Sequence, residues 1–359
     1  MASLDPKSLS TSSSKYECEL AEELSSRVDR VCVMSFRAKE CEIDGNVRLI
    51  PCATSDQLRD FSGLCEQIDA NLKDGSGKSV ILFFGYNPKL IDALVRFKDR
   101  AKIASVIYDT HKGALEGKSF VRKLAIDRFF SSGLRRVNTL DGVILFREAA
   151  AMALGLKIPH CVILPAADSD DVSPYRDTAN RKLRFLYAGT LCGYNATKEL
   201  VDAFAEYDGD AAELYLFGDG PLSGYVAEAA RSTDRIRYFG RVATERIEAE
   251  TSDSDVLVNL RDMRSEVNKF AFPSKLVEYM KCGKAVMSTR VSEAAEFADA
   301  VFMCADTSVE AILSCLKYIC AHREELPEKV KKAGVYLKKY HDSESNFGRL
   351  YDFLFNELN

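Results

Sequence analysis

The segment Phe270-Ala271-Phe272-Pro273-Ser274-Lys275-Leu276-Val277-Glu278-Tyr279-Met280-Lys281-Cys282-Gly283-Lys284-Ala285-Val286 decides how the chain is read. It spells a loop, a short helix with marked ends, and the start of a buried strand. Pro273 suits the first helical position, because its ring fixes φ and the first turn needs no N–H there. Gly283 supplies the left-handed residue that closes the helix, and Ala285-Val286-Met287 then opens an apolar strand. The N–H groups of Ser274, Lys275 and Leu276 leave the helix start without intrahelical partners. Such an end attracts anions, phosphate among them, and Lys275 adds a full positive charge beside it. Glu278 follows Ser274 by four residues and Lys275 by three, on the same face. A carboxylate there can accept two hydroxyls, as from a ribose. Taken alone, the pattern equally describes an ordinary capped amphipathic helix.

Its surroundings decide. Just before it runs Ser254-Asp255-Val256-Leu257-Val258-Asn259-Leu260-Arg261. Further back lie Leu214-Tyr215-Leu216-Phe217-Gly218-Asp219-Gly220-Pro221 and Ile236-Arg237-Tyr238-Phe239-Gly240-Arg241-Val242, and earlier still Phe185-Leu186-Tyr187-Ala188-Gly189-Thr190. Together, in this order, these blocks resemble the C-terminal half of the retaining glycosyltransferases of family four. The resemblance implies an α/β chain of two Rossmann-like parallel-sheet domains facing across a cleft, the glycosyltransferase B type. It also implies transfer of a sugar, with retention, from a nucleotide diphosphate to a glycan or lipid-linked acceptor. On that reading Phe272, Ser274 and Lys275 meet the phosphates at the helix start. Gly189 and Thr190 open a loop that reaches Lys198, a second phosphate contact. Gly240, Arg241 and Val242 meet the nucleobase, and Glu278 holds the ribose. The resemblance also places Asp109 and His111 beside the transferred sugar, with His111, Asp109 and Lys275 as the catalytic group.

The chain departs from the family in two places. Thr190 stands where members often carry Arg, which leaves more to Lys198. Phe270 stands where many carry the first of two glutamates, so the donor sugar cannot be carried over. The Phe-Pro-Ser-Lys form is similar to a subgroup from bacterial surface-polysaccharide synthesis that also lacks that glutamate.

Composition bounds the alternatives. A chain of 359 residues, 47% hydrophobic and 29% charged, has room for two soluble domains. A net charge of −5 argues against nucleic acid as the main partner. The eleven cysteines form no CxxC and no metal-like pairing with the four histidines, and Cys32, Cys161 and Cys304 sit in apolar runs. They read as reduced thiols of a cytoplasmic protein. No apolar run is long enough to span a membrane, and no signal peptide follows Met1. Asp253-Ser254-Asp255 precedes a buried strand and reads as local capping, so neither a metal nor a resident cofactor is expected beyond the donor nucleotide sugar.

In order along the chain, residues 1–167 read as an N-terminal, acceptor-side domain. It begins with a helix from about Lys15 to Val28 and strands at Val31–Phe36 and Val47–Ile50. A helix around Ser55–Leu72 and a strand at Val80–Phe84 follow. Gly77-Lys78-Ser79 ends like a P-loop, but Leu72 stands where that motif needs Gly, and the stretch is taken as a turn. Ala104–Tyr108 delivers Asp109, Thr110 and His111 at a strand end, where ligands sit in doubly wound sheets. Residues 118–137 form a helix in which Lys118, Arg122, Lys123, Arg128, Arg135 and Arg136 alternate with Phe120, Val121, Leu124, Ile126, Phe129 and Phe130. This is a solvated face over a core stripe, or a surface that rests on the inner face of an anionic membrane. Strands at Gly142–Phe146 and Cys161–Pro165 complete the domain. Residues 168–182 are the linker, 183–341 the nucleotide-sugar domain, and 342–359 a helix that returns to the first domain.

One expected element is missing from the start. Such a domain normally begins with a buried strand, and Met1-Ala2-Ser3-Leu4-Asp5-Pro6-Lys7 has few β-formers and a Pro. The first strand is expected to be absent or displaced, by an alternative chain start or by real loss, with weakened edges beside it. The rival readings of function are a non-catalytic nucleotide-sugar-binding protein of the same fold, and an epimerase or phosphorylase of similar form.

Overall fold

The computed structural model describes residues 12–35, 41–43, 46–52, 60–73, 77–108, 119–167, 172–176, 182–265, 268, 274–292, 294 and 296–358. The chain divides into two compact units, Met1–Pro165 with Glu344–Asn359, and Ala166–Ser343.

The second unit is one six-stranded sheet, every pair parallel, formed by β8 (Leu183–Ala188), β9 (Ala212–Phe217), β10 (Ile236–Tyr238), β11 (Val256–Asn259), β12 (Ala285–Ser288) and β13 (Phe302–Met303). Their order is β10-β9-β8-β11-β12-β13. The strands are apolar at almost every position because both faces are covered. Phe185, Leu214, Leu216, Val256, Val258 and Met287 enter one core with helices Thr197–Glu206 and Val309–Ala321. Their neighbours Leu186, Tyr215, Phe217, Leu257 and Val286 enter the other, with helices Ser274–Lys281 and Leu326–Tyr340. Successive residues of a strand point to opposite faces, so one continuous apolar run serves two cores. Gly283 closes helix Ser274–Lys281 at φ +65°, and a Cβ there would lie 2.0 Å from the carbonyl oxygen of Ser173. The Ser173 N–H donates to the Lys281 carbonyl at 2.9 Å. This part of the expected linker is thus fastened to the second unit.

The first unit holds two sheets among the described residues. β1 (Val31–Ser35) pairs in parallel with β3 (Val47–Pro51), and β2 (Cys41–Ile43) runs antiparallel to β3. The second sheet is parallel, β4 (Val80–Phe84), β5 (Lys102–Ile107), β6 (Gly142–Leu145) and β7 (His160–Val162), in that order. β5 and β6 are almost wholly buried, whereas the described side chains of β1 and most of those of β4 are only half-buried. Among the described residues β1 pairs only with β3 and β4 only with β5. Residues 1–10, on which the expected first-strand defect turns, lie outside the described residues. Helix Phe120–Val137 packs on helix Pro88–Leu94, where a Cβ on Gly133 would lie 1.8 Å from the Tyr86 carbonyl oxygen. The terminal helix Ser343–Asp352 and the turn Phe353–Glu357 belong to this unit from Glu344 onward. Arg349 donates to the Val162 carbonyl at 2.6 Å, and Gly142 leaves room for Phe353 and Leu358.

Several boundaries differ from expectation. The first helix runs Ser12–Ser25, and Val28 lies in the turn that follows, its N–H on the Leu24 carbonyl. The second helix is described over Ser62–Lys73, with residues 53–59 outside the described set. β7 stops at Val162, well before Pro165. β2 was not foreseen, since three residues are too few to carry a period.

Candidate functional site

The order of strands in the second unit creates a switch point. The chain leaves β8 toward β9 and β10 on one side, then returns to build β11, β12 and β13 on the other. Loops leaving β8 and β11 meet this point at the C-terminal ends of the strands, where open α/β sheets bind ligands. Loops from β8, β9 and β10 are also tied together there. The Gly189 N–H donates to the Phe217 carbonyl at 3.0 Å, Leu191 N–H to Asp219 at 3.1 Å, and Gly218 N–H to Gly240 at 2.8 Å.

Two cations border the end of β8. The Lys275 ammonium donates to the Ala188 carbonyl, and the Tyr279 hydroxyl lies 3.3 Å from the same oxygen. Helix Ser274–Lys281 sets Lys275 there by burying Leu276, Val277, Tyr279 and Met280 against the sheet. Arg261, two residues past β11, donates from Nη1 to Asn195 Oδ1 at 2.5 Å. Asn195 is only 4% exposed and its Nδ2 donates to the Thr190 carbonyl at 2.9 Å. The Tyr187 hydroxyl donates to that carbonyl at 2.7 Å. Burial pushes the Tyr187 phenol up to about 12, an effect that the nearby Arg261 charge opposes. Burial likewise raises Tyr279, again opposed by Arg261. Both phenols therefore stay protonated at neutral pH and keep donating.

The Arg261 loop is itself fixed. Its N–H donates to Thr289 Oγ1 at 2.9 Å, and that hydroxyl donates back to the Arg261 carbonyl at 3.0 Å. Asn268, buried, donates to the carbonyls of Tyr194 at 2.6 Å and Asp262 at 3.0 Å. Backbone around Arg261 is thus sewn both to β12 and to the loop after β8.

Of the residues named from sequence, Ser274, Lys275 and Glu278 share one helix at this switch point, with Glu278 exposed and the other two half-buried. Gly189 is half-buried and Thr190 exposed at the end of β8. Gly240 sits at φ +67°, with Arg241 exposed and Val242 partly buried beside Phe239. Lys198 is directed elsewhere: its ammonium pairs with Asp202 at 2.5 Å and lies 5.1 Å from the centre of the Tyr225 ring. Asp109, His111, Phe270, Phe272 and Pro273 lie outside the described residues. Arg261 carries no role in the sequence reading; its position just past a strand of the switch was the available signal. Asp255 accepts from the Arg184 N–H at 2.7 Å, and Ser254 Oγ donates to the Glu250 carbonyl at 2.7 Å, which are local structural uses. Among the described residues no group of His, Cys, Asp and Glu has a metal-binding arrangement.

Residues 182–322 match the family model Glycosyl transferases group 1. The matched stretch contains the whole switch-point site. Solved structures share the fold over nearly the whole chain. Sucrose-phosphate synthase from Thermosynechococcus elongatus is 16% identical with a TM-score of 0.70, covering 97% of this chain and 94% of its own. HepE from Anabaena, in complex with UDP and glucose, is 15% identical with a TM-score of 0.64, covering 99% and 97%. WaaG, a glycosyltransferase involved in lipopolysaccharide biosynthesis, is 13% identical with a TM-score of 0.62, covering 94% of each chain. At these identities the likeness is one of fold: α/β, with parallel sheets. No curated protein matches the chain.

Proposed function

We propose that this chain is a glycosyltransferase that takes a sugar from a nucleotide diphosphate, with retention, and passes it to a glycan or lipid-linked acceptor in the cytoplasm. The observation that carries the reading is Lys275 at the end of β8, on a helix that starts at the switch point with Glu278 one turn on. The family match over 182–322 and the UDP complexes among the fold relatives support it. In the reaction the sugar C1–O bond breaks and its electron pair stays on the diphosphate oxygen. The acceptor oxygen bonds to C1, and its proton passes to the departing phosphate. The protein's part is to hold the reactants and to place positive charge where the diphosphate gains negative charge. On this reading side-chain cations supply that charge, and metal independence is expected.

A thermal-shift screen of UDP-, GDP- and ADP-sugars, followed by turnover of the sugar nucleotide that stabilises the chain, tests the proposal. Stabilisation with neither hydrolysis nor transfer would favour the non-catalytic binder. Activity that collapses in EDTA would count against metal independence. Glu278→Gln is expected to weaken nucleotide binding by about 10- to 100-fold with the fold intact, because a charge-assisted hydrogen bond contributes ~1.5–3 kcal/mol. Unchanged affinity by calorimetry removes Glu278 from the ribose.

The acceptor side carries a membrane proposal on an observation of its own. On helix Phe120–Val137, Phe120 is 80% exposed, Val121 75% and Leu124 50%. Arg122, Lys123, Arg128, Arg135 and Arg136 share this helix with a single acid, Asp127, in a chain of net charge −5. An apolar arc among cations suits an anionic bilayer surface. No helix of the described residues is long and apolar enough to cross a membrane. The unaltered chain is expected to sediment with anionic vesicles at low salt and not with neutral ones. Phe120→Ser with Leu124→Ser should weaken this at least about tenfold, since burying each side chain contributes ~1.5–3 kcal/mol. Equal sedimentation of the double variant rejects the surface.

A further inference from the structure

We propose that Arg261 is the second cation of the diphosphate site, holding with Lys275 the two phosphates of the donor. This rests on the function proposed above and names a residue for it. A diphosphate brings more than one negative charge, and the loop after β8 offers Thr190, which is neutral. Lys198, the basic residue nearest in sequence to that loop, is engaged by Asp202 and Tyr225 across two helices. The structure fills the need from the other side of the switch point. Lys275 reaches the Ala188 carbonyl, and Arg261 reaches Asn195, whose amide grips the Thr190 carbonyl. The two cations thus border the same short stretch, Ala188 to Thr190, from two different elements.

The support beneath Arg261 is what a phosphate contact requires. A guanidinium has two edges of donors, so one nitrogen can be fixed while others meet an anion. Here Nη1 is fixed by an asparagine that is itself almost fully buried, and the Arg261 backbone is pinned on both N–H and carbonyl by Thr289. Tyr187 and Tyr279 stand near enough for the Arg261 charge to act on both phenols. They offer no negative charge that would neutralise it at neutral pH. Asn195 acts as a positioning residue: it orients Arg261 and the Thr190 loop together.

The test is calorimetry with UDP, GDP and ADP, and with uridine, guanosine and adenosine, on the unaltered chain and on Arg261→Gln, Arg261→Lys and Lys275→Ala. Binding of none of the three diphosphates by the unaltered chain would defeat the proposed function itself. Given one that binds, Arg261→Gln should lose at least about tenfold in affinity for it, while the matching nucleoside binds as before. Arg261→Lys should lose about fivefold, because a single ammonium cannot satisfy Asn195 and a phosphate in the same geometry. Loss of roughly equal size for nucleoside and diphosphate would show a structural role and overturn the assignment. So would an Arg261→Gln chain that keeps diphosphate affinity within about twofold while Lys275→Ala loses it, a result that leaves the proposed function standing. If Arg261→Gln fails to fold, Arg261→Lys decides alone, and undiminished diphosphate affinity in it overturns the proposal.

Discussion

Lys275→Ala is expected to lower turnover of the donor by about 100- to 1,000-fold while the chain stays folded. The size follows from where the ammonium sits. It is held at the Ala188 carbonyl, beside the end of β8, on the first turn of helix Ser274–Lys281. As the C1–O bond breaks, the leaving diphosphate gains negative charge that the bound donor lacked. A fixed cation stabilises that gain more than it stabilises binding, so kcat falls further than affinity. The fold is spared because Leu276, Val277 and Met280 anchor the helix, and the Tyr279 hydroxyl stays within 3.3 Å of Ala188. Kinetics on the sugar nucleotide chosen by the screen, with thermal unfolding alongside, checks this. A kcat within about threefold of the unaltered chain removes Lys275 from the reaction, and a loss of kcat accompanied by a melting temperature lower by more than about 5 °C assigns it a structural part.

The second unit was legible in sequence because its physics is local and repetitive. Apolar runs such as Leu183–Ala188 and Ala212–Phe217 are bounded by Gly189 and Gly218, and each is a strand of the parallel sheet. Helix Ser274–Lys281 announced itself through Gly283, which only a left-handed closing residue explains. The site was legible in part. Lys275 and Glu278 follow from helix geometry, but the direction of Lys198 does not. A flexible four-carbon side chain goes to the strongest partner in reach, and Asp202, one turn along the same helix, cannot be ranked against a distant site without coordinates. Arg261 was hidden for the converse reason, since its partner Asn195 is far away in sequence and meets it only when β8 and β11 lie side by side. In the first unit the pattern carried less. β1 and β4 look like buried strands, yet their described side chains are mostly half-buried, and each is paired on one side among the described residues. In the second unit β8 occupies the position between β9 and β11. A sequence period reports which face of a strand is apolar, and says nothing of which neighbour completes its ladder.

Gly218→Ala is expected to destabilise the second unit by about 2–5 kcal/mol and to abolish nucleotide binding at working concentrations. Gly218 adopts φ +122°, a backbone conformation that L-residues with a Cβ rarely reach. Its position is also crowded, for a Cβ there would lie 1.9 Å from the Gly189 carbonyl oxygen. That contact cannot be relieved by turning a side chain, because both partners are backbone. Either Gly189 moves or Gly218 does. Gly218 is tethered by its N–H to Gly240 at 2.8 Å and by its carbonyl to the Tyr238 hydroxyl at 3.1 Å. Gly189 is tethered to Phe217 and is followed by Thr190, whose carbonyl holds Tyr187 and Asn195 and, through Asn195, Arg261. Displacing either one therefore spreads to the loops that flank the donor site. Gly224→Ala is the matched control. It lies in helix Ser223–Ser232 with open space where an added methyl would stand, so a gain of about 0.5–1 kcal/mol or no change is expected there. Thermal unfolding of the two variants, with UDP, GDP and ADP titrations, compares them. A Gly218→Ala chain that melts within about 2 °C of the unaltered chain and binds the same nucleotide would show that the β8 and β9 loops are free to part, and that the close backbone approach is not what shapes the site.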